Sequence, residues 1–310
     1  MDRTVDLPVH TELGSPTYVA PAVERVATLF VNAYLVGERA GAWVLVDTGL
    51  RRLLRVVLRA ARERFGDTRP QAIVLTHGHF DHAGSAAALA ARWDVPVYAH
   101  ELELPHLTGR SDYPPQDPTV GGALGLMSRT FSHKGLDLGE RVRALPANGT
   151  VPGLLDWRWI HTPGHTSGHV SLFREMDGVL LAGDALATVD QDSAIAMVTQ
   201  HPVFSVPPAP LTTDWDAAQE SVRRLAELSP VALAAGHGRP VRGPRIAADL
   251  ERFADAFPRP RRGRYVREAA RSDESGVVYV PPAVHDPLPR RLLVGGVAAA
   301  ALIALSRRRH

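Results

Sequence analysis

The run His77-Gly78-His79-Phe80-Asp81-His82 packs four metal-ligating side chains into six residues, directly behind the apolar stretch 72–76 (AIVLT). So short and aliphatic a stretch reads as a buried strand. A buried strand that ends in three imidazoles and a carboxylate must open into a polar cavity, and the fold has to provide one. Alternation along extended chain puts His77 and His79 on one side. Asp81 and His82 follow at the entry of a small-residue helix expected over residues 81–93 (DHAGSAAALAARW). Gly78 is read as relief for a backbone bend between the two histidines. A solvated polar loop is the competing reading, but a metal satisfies so many clustered polar groups more naturally, and imidazole with carboxylate suits Zn²⁺, Fe or Mn.

Composition narrows the chemistry. No cysteine occurs among the 310 residues, which removes disulfides, thiolate metal sites, iron–sulfur clusters and cysteine nucleophiles. Any metal site must be built from nitrogen and oxygen. The formal net charge of +2 points to no acidic partner. The late arginines are not interleaved with stacking aromatics, so no nucleic-acid partner is expected.

Strand-like and helix-like segments alternate through the first 240 residues, which argues for a layered α/β architecture. Residues 28–36 (TLFVNAYLV) and Trp43–Val46 read as strands around a turn at 37–41, and residues 50–65 as an amphipathic helix. Val97–Ala99 is the next strand. Further on, residues 157–161, 170–173, 179–182 and 231–235 read as strands, with a helix from an N-cap at Thr213 through Leu228. Residues 101–149 and 186–211 look like insertions. The reading divides the chain into a catalytic unit, 1–257, and an Arg- and Pro-rich appendage, 258–310, with one strand candidate at 277–280.

The N-terminus shows no basic start followed by an apolar run, so a cytoplasmic location is expected. Residues 292–305 (LLVGGVAAAALIAL) lie between Arg290-Arg291 and Arg307-Arg308-Arg309. They fall short of the about 20 apolar residues of a spanning helix. A docked terminal helix is the expectation, and membrane contact the alternative.

HGHFDH resembles the H-x-H-x-D-H motif of the metallo-β-lactamase superfamily. The resemblance extends in order to Asp47-Thr48-Gly49, Thr162-Pro163-Gly164-His165, Gly183-Asp184 and Gly236-His237-Gly238, covering roughly residues 28–240. Five ordered elements are far more specific than any one. The chain looks closest to the glyoxalase II-like and lactonase-like hydrolases. The resemblance implies a four-layer αββα sandwich with its site at one edge. It also implies that His77, His79 and His165 hold one divalent ion, that Asp81, His82 and His237 hold a second, and that Asp184 bridges. Zn²⁺ is the expected metal, with Fe or Mn the alternatives. The implied reaction is attack of a metal-bound hydroxide on the carbonyl of a small ester, thioester, lactone or lactam, with Asp81 relaying a proton. No Gly-x-Ser-x-Gly elbow offers a rival nucleophile. Asp47 is read as fixing a ligand or the loop, and His161 and His169 as neighbours of the ligand His165.

Other activities are weighed on the same residues. A mononuclear-iron persulfide dioxygenase of similar sequence would use the His77, His165 and Asp184 positions. A β-CASP-type nuclease needs a large domain between Asp184 and His237, and the 53 residues separating them leave too little room. A non-catalytic relative would have lost ligands, and all seven positions are filled. For the substrate, a glutathione thioester calls for late basic residues in a pattern this chain lacks, and its single lysine is Lys134. Trp157, Trp159, Phe204 and Tyr113 read as core, and His100, His106, His133 and His201 as surface. The discriminating residues are expected in 101–149, 186–211 and the appendage.

Overall fold

Strands that are apolar on both faces need cover on both faces, and here two sheets cover one another while helices cover their outer sides. The computed structural model describes residue 14, residues 16–39 and residues 41–286. The first sheet has seven strands in sequence order: β1 (Thr17–Ala20), β2 (Val23–Thr28), β3 (Val31–Gly37), β4 (Trp43–Val46), β5 (Ala72–Val74), β6 (Val97–Ala99) and β7 (Val142–Ala144). Strands β1–β4 form an antiparallel meander, and β4–β7 run parallel. The second sheet follows with β8 (Thr150–Val151), β9 (Leu154–His161), β10 (Val170–Arg174), β11 (Val179–Gly183), β12 (Ala232–Ala235) and β13 (Val241–Arg242). Its pairs are antiparallel except for the parallel β11–β12.

Helices α1 (Leu54–Phe65) and α2 (Ala86–Trp93) lie on the outer face of the first sheet. The short α3 (Leu104–Leu107), α4 (Gly122–Met127) and α5 (Ala194–Thr199) fall in the two segments expected as insertions. Helices α6 (Trp215–Glu227) and α7 (Ile246–Ala256) cover the second sheet. Period-two alternation generates the layering. On β3 and β4, Leu35, Trp43 and Leu45 face α1 and α2, whereas Tyr34, Val36, Val44 and Val46 face the other sheet. On β11 and β12, Leu181 and Ala234 face the first sheet, whereas Leu180 and Leu233 face α6 and α7. The result is the expected αββα sandwich.

Several boundaries differ from the sequence reading. The strand expected over 28–36 is broken, because Leu29 takes a left-handed φ of 74° and turns β2 into β3. The helix expected from Asp81 starts only at Ala86. Before it the chain turns tightly, with the amides of His82 and Ala83 both donating to the His79 carbonyl at 3.0 and 2.8 Å. Asp214, not Thr213, caps α6, its Oδ1 accepting from the amides of Asp216 and Ala217 at 3.0 and 2.9 Å. The segment 101–149 is not wholly an insertion, since β7 completes the first sheet.

Beyond residue 258, α8 (Arg264–Arg267) and the hairpin of β14 (Arg271–Asp273) and β15 (Gly276–Tyr279) lie against the 101–149 segment. Tyr265 is buried and donates to the Pro115 carbonyl at 2.6 Å, while Arg129 pairs with Asp286 at 2.7 Å. The apolar segment 292–305 lies outside the described residues. Among the described residues no helix is long and apolar enough to cross a membrane.

His100 and His106, expected at the surface, are buried. His100 follows β6 and stacks on His161 at the end of β9, with ring centroids 4.2 Å apart and planes within 9°. It thereby joins the two sheets. Burial first, then the facing His161, lowers the His100 pKa to about 4.

Two outcomes follow from this packing. Trp43 is fully buried, stacked on Phe65 at 4.4 Å and edge-on to Trp93 at 5.6 Å. Trp43→Ala should cost about 3–5 kcal/mol of stability, read from urea denaturation; an unchanged midpoint would contradict the assigned core. For His100, the unfolded chain binds its proton near the ordinary histidine value and the folded chain only near pH 4. Its contribution is therefore a loss of stability as pH falls from about 6.5 toward 4. His100→Asn should flatten the fall in Tm over that window, whereas a profile parallel to that of the unmodified protein would rule the effect out.

Candidate metal centre

Both parallel pairs, β4–β5 and β11–β12, point their carboxyl ends at the same edge of the sandwich. That edge collects Asp47 after β4, His77, His79, Asp81 and His82 after β5, Asp184 after β11 and His237 after β12. The β9–β10 loop adds His165. All seven expected ligand residues are buried. Three groups have ligand atoms within 4.8 Å of one another: His77, His79 and His165; Asp81, His82 and His237; and His77, His82 and Asp184. Asp184 Oδ2 stands 3.5 Å from His165 Nε2, 3.4 Å from His82 Nε2 and 3.2 Å from His237 Nε2. It touches members of both expected ligand sets. Asp81 Oδ2 lies 3.7 Å from His237 Nε2 and 3.9 Å from His82 Nε2.

Four of the five imidazoles are oriented from behind. Thr76 Oγ1 donates to Asp47 Oδ2 at 2.8 Å, so toward His77 it accepts, from Nδ1–H at 3.1 Å. His82 Nδ1–H donates to Asp47 Oδ2 at 2.9 Å, and His237 Nδ1–H to the Phe30 carbonyl at 2.8 Å. Thr212 Oγ1 donates to the Pro208 carbonyl and accepts from His165 Nδ1–H at 3.3 Å. In all four, Nδ1 is engaged on the outer side and Nε2 faces the centre, the orientation a ligating histidine needs. His79 is turned the other way and presents Nδ1, 3.0 Å from His165 Nε2.

Charge and burial agree with a cation. His77 Nε2, His82 Nε2, Asp81 Oδ1 and Asp184 Oδ1 are buried without a hydrogen-bond partner, a costly arrangement unless something else satisfies them. Burial, reinforced by neighbouring imidazoles, holds His77 and His165 well below the ordinary histidine pKa and His79 at about 3. These three are therefore neutral, as ligands must be. Burial also opposes charge on His82 and His237, but Asp184 and Asp81, with Asp47 at His82, outweigh it and raise both. Burial likewise opposes the Asp184 carboxylate, and His237 and His82 overcome it and lower its pKa. Neutral imidazoles on one side and carboxylates seeking positive charge on the other fit divalent ions bound through nitrogen and oxygen.

The glycines of the motifs are spaces. A Cβ on Gly78 would sit 2.3 Å from the Tyr113 hydroxyl, so closeness rather than a backbone bend requires glycine there. A Cβ on Gly236 would fall 2.0 Å from Asp184 Oδ1. Asp47 itself holds a left-handed φ of 56°, which aims its carboxylate at the Thr76 amide, the Thr76 hydroxyl and His82.

Glu103 enters the site unannounced by the sequence, and Tyr113, an aromatic that the sequence offered as pocket or core, enters with it. Glu103, fully buried, accepts from the Gly78 amide at 2.9 Å, Thr166 Oγ1 at 2.7 Å, the Gly168 amide at 3.1 Å and the Tyr113 hydroxyl. One carboxylate thus ties the His77–His82 loop to the His165 loop. The Tyr113 ring lies 4.5 Å from that of His79. Glu101 and Glu103 look alike in the sequence, and only the fold separates them, leaving Glu101 exposed and Glu103 buried. His169 accepts from the Asp184 amide at 2.8 Å, and His161 contacts the Ser167 carbonyl at 2.8 Å; both brace the site from outside the ligand groups.

Several known proteins resemble this chain. The chain is 40% identical over 246 residues to a probable metallo-hydrolase of Bacillus subtilis (YflN), covering 78% of this chain and 93% of that one. It is 32% identical over 154 residues to a hydroxyacylglutathione hydrolase of Erwinia tasmaniensis, covering 49% of this chain and 46% of the relative. Among solved structures, a β-lactamase domain protein from Burkholderia ambifaria shares the fold with a TM-score of 0.54 at 24% identity, over 82% and 79% of the two chains. A metallo-β-lactamase family protein from Thermus thermophilus gives 0.51 at 25% identity, over 77% and 79%. With residues 26–237 matching the family model described as the metallo-beta-lactamase superfamily, the chain belongs to that superfamily of metal-dependent hydrolases.

Proposed function

We propose that this protein hydrolyses a small carbonyl substrate (ester, thioester, lactone or lactam) at a dinuclear centre, with Zn²⁺ as the metal. One observation carries the reading: two complete ligand sets, His77/His79/His165 and Asp81/His82/His237, with Asp184 Oδ2 within 3.5 Å of members of both. The filled second set is what favours a two-ion hydrolase over a single-iron oxygenase built on His77, His165 and Asp184.

Bound there, divalent cations supply Lewis acidity toward a carbonyl oxygen and lower the pKa of water toward neutrality. The chain's own groups do the rest. Asp81 lines the cavity beside the centre, and its Oδ1 has no partner in the protein. That oxygen is placed to hold the proton released as water attacks and to pass it to the leaving group. Asp47, reached by His82 and by both the amide and hydroxyl of Thr76, is a positioning residue. The substrate is taken to be a small molecule in the cytoplasm, with no nucleic-acid partner.

A hydrolysis panel of acyl thioesters, lactones, nitrocefin and phosphodiesters on metal-quantified protein tests the reading. Turnover of a carbonyl substrate in proportion to metal content is expected; oxygen consumption with one iron per chain would replace it with the oxygenase. His79→Ala and Asp184→Ala should lose bound metal and lower kcat/KM on the order of a thousandfold or more, since they remove an electrostatic contribution of several kcal/mol. Either variant retaining full activity would refute its assignment. Asp47→Asn should weaken metal affinity roughly 10- to 100-fold and regain most of its turnover at saturating metal. Unchanged affinity would show that Asp47 does not orient His82.

A further inference from the structure

Asp81 and His237 line a narrow chamber of about 50 Å³. Its wall comes from three separate places: Phe30 at the β2–β3 turn, Leu124, Met127 and Phe131 on and after α4, and Val189, Met197 and Leu211 in the 186–211 segment. The two inserted segments are joined over it, the Ala123 amide donating to the Asp192 carbonyl at 3.1 Å. Among the described residues no lysine or arginine lines the chamber, and beside Asp81 and His237 its polar side chains are Gln191 and Gln200. Arg25 and Arg239 line an adjoining outer groove, which shares Phe30, Met127 and Met197 with the chamber. The apolar surface continues outward there through Leu29 and Val198, both exposed.

Resting on the hydrolase reading, we propose that the substrate is an uncharged carbonyl compound bearing an apolar chain of several carbons, with the carbonyl at Asp81 and His237 and the chain in this chamber. A charged acyl group would lie against Phe80, Leu124 and Phe131 with no counter-ion, at a cost water does not impose. An apolar chain buries its surface against the same wall, and each methylene removed from water strengthens binding about fourfold. Selectivity for chain length is the direct consequence. It is set by the inserted segments, not by the ligand residues.

Two series test this on the full chain. The first measures kcat/KM of metal-loaded protein on p-nitrophenyl esters from acetate to decanoate, with the succinate half-ester as the charged member. The second measures, by calorimetry, binding of uncleavable 2-alkanones from butanone to undecanone to the same metal-loaded protein. The proposal expects kcat/KM to rise by at least tenfold from acetate to the preferred chain, the succinate half-ester to be the poorest of its length, and alkanone affinity to rise with chain length. Met127→Arg, at a half-exposed position on the shared wall, should reduce both gains by tenfold or more. Alkanone affinity independent of length, or preference for the succinate half-ester, overturns the proposal. If no ester is hydrolysed while alkanone affinity still rises with length, the hydrolase reading falls and the apolar chamber stands.

Discussion

Everything at the active edge depends on an electrostatic constraint: five imidazoles and two carboxylates are buried in mutual contact. Taking such groups out of water is expensive, and hydrogen bonds among them satisfy only some of their atoms. The protein spends its remaining hydrogen bonds on the outward nitrogens, through Asp47, Thr76, Thr212 and the Phe30 carbonyl, and leaves inward atoms of His77, His82, Asp81 and Asp184 unpartnered. A site arranged that way is shaped around positive charge. The sandwich supplies the rigidity, because parallel strand pairs in both sheets deliver their carboxyl ends to one edge.

The loops carrying these residues are held to one another as well as to their own strands. Glu103 spans the His77–His82 loop and the His165 loop with one carboxylate. The His169 ring fixes the Asp184 amide, and the Val170 amide donates to the Thr76 carbonyl at 2.9 Å, joining the second sheet to the end of β5. Asn32 and the Tyr34 hydroxyl both donate to the Ala235 carbonyl, at 2.9 and 2.5 Å, just before His237. A cation held by residues from both sheets would therefore also staple the sheets together, which links metal binding to stability.

Much of this was legible in the sequence, for identifiable reasons. Doubly buried strands announce themselves as aliphatic runs, so β4, β5, β6 and β11 were placed within a residue or two. Ligands clustered on strand ends carry a local signature, and His165, Asp184 and His237 followed in the order the family resemblance implied. What escaped was set by distant contacts. Nothing local separates Glu103 from Glu101, because the donors that single it out, Gly78, Thr166 and Gly168, lie up to 65 residues away. His100 read as a surface residue because its stacking partner His161 belongs to the other sheet. Residues 81–85 look helical by composition, but the loop they form is governed by the His79 carbonyl and the ligands it has to aim.

The central claim is that the two ligand sets hold two ions with Asp184 between them. Anomalous diffraction from a crystal grown with Zn²⁺, recorded on either side of the zinc edge, addresses it without reference to any substrate. The account predicts two peaks, one against His77, His79 and His165, the other against Asp81, His82 and His237, with Asp184 touching both. A single peak at full occupancy, or zinc bound away from these residues, would contradict it.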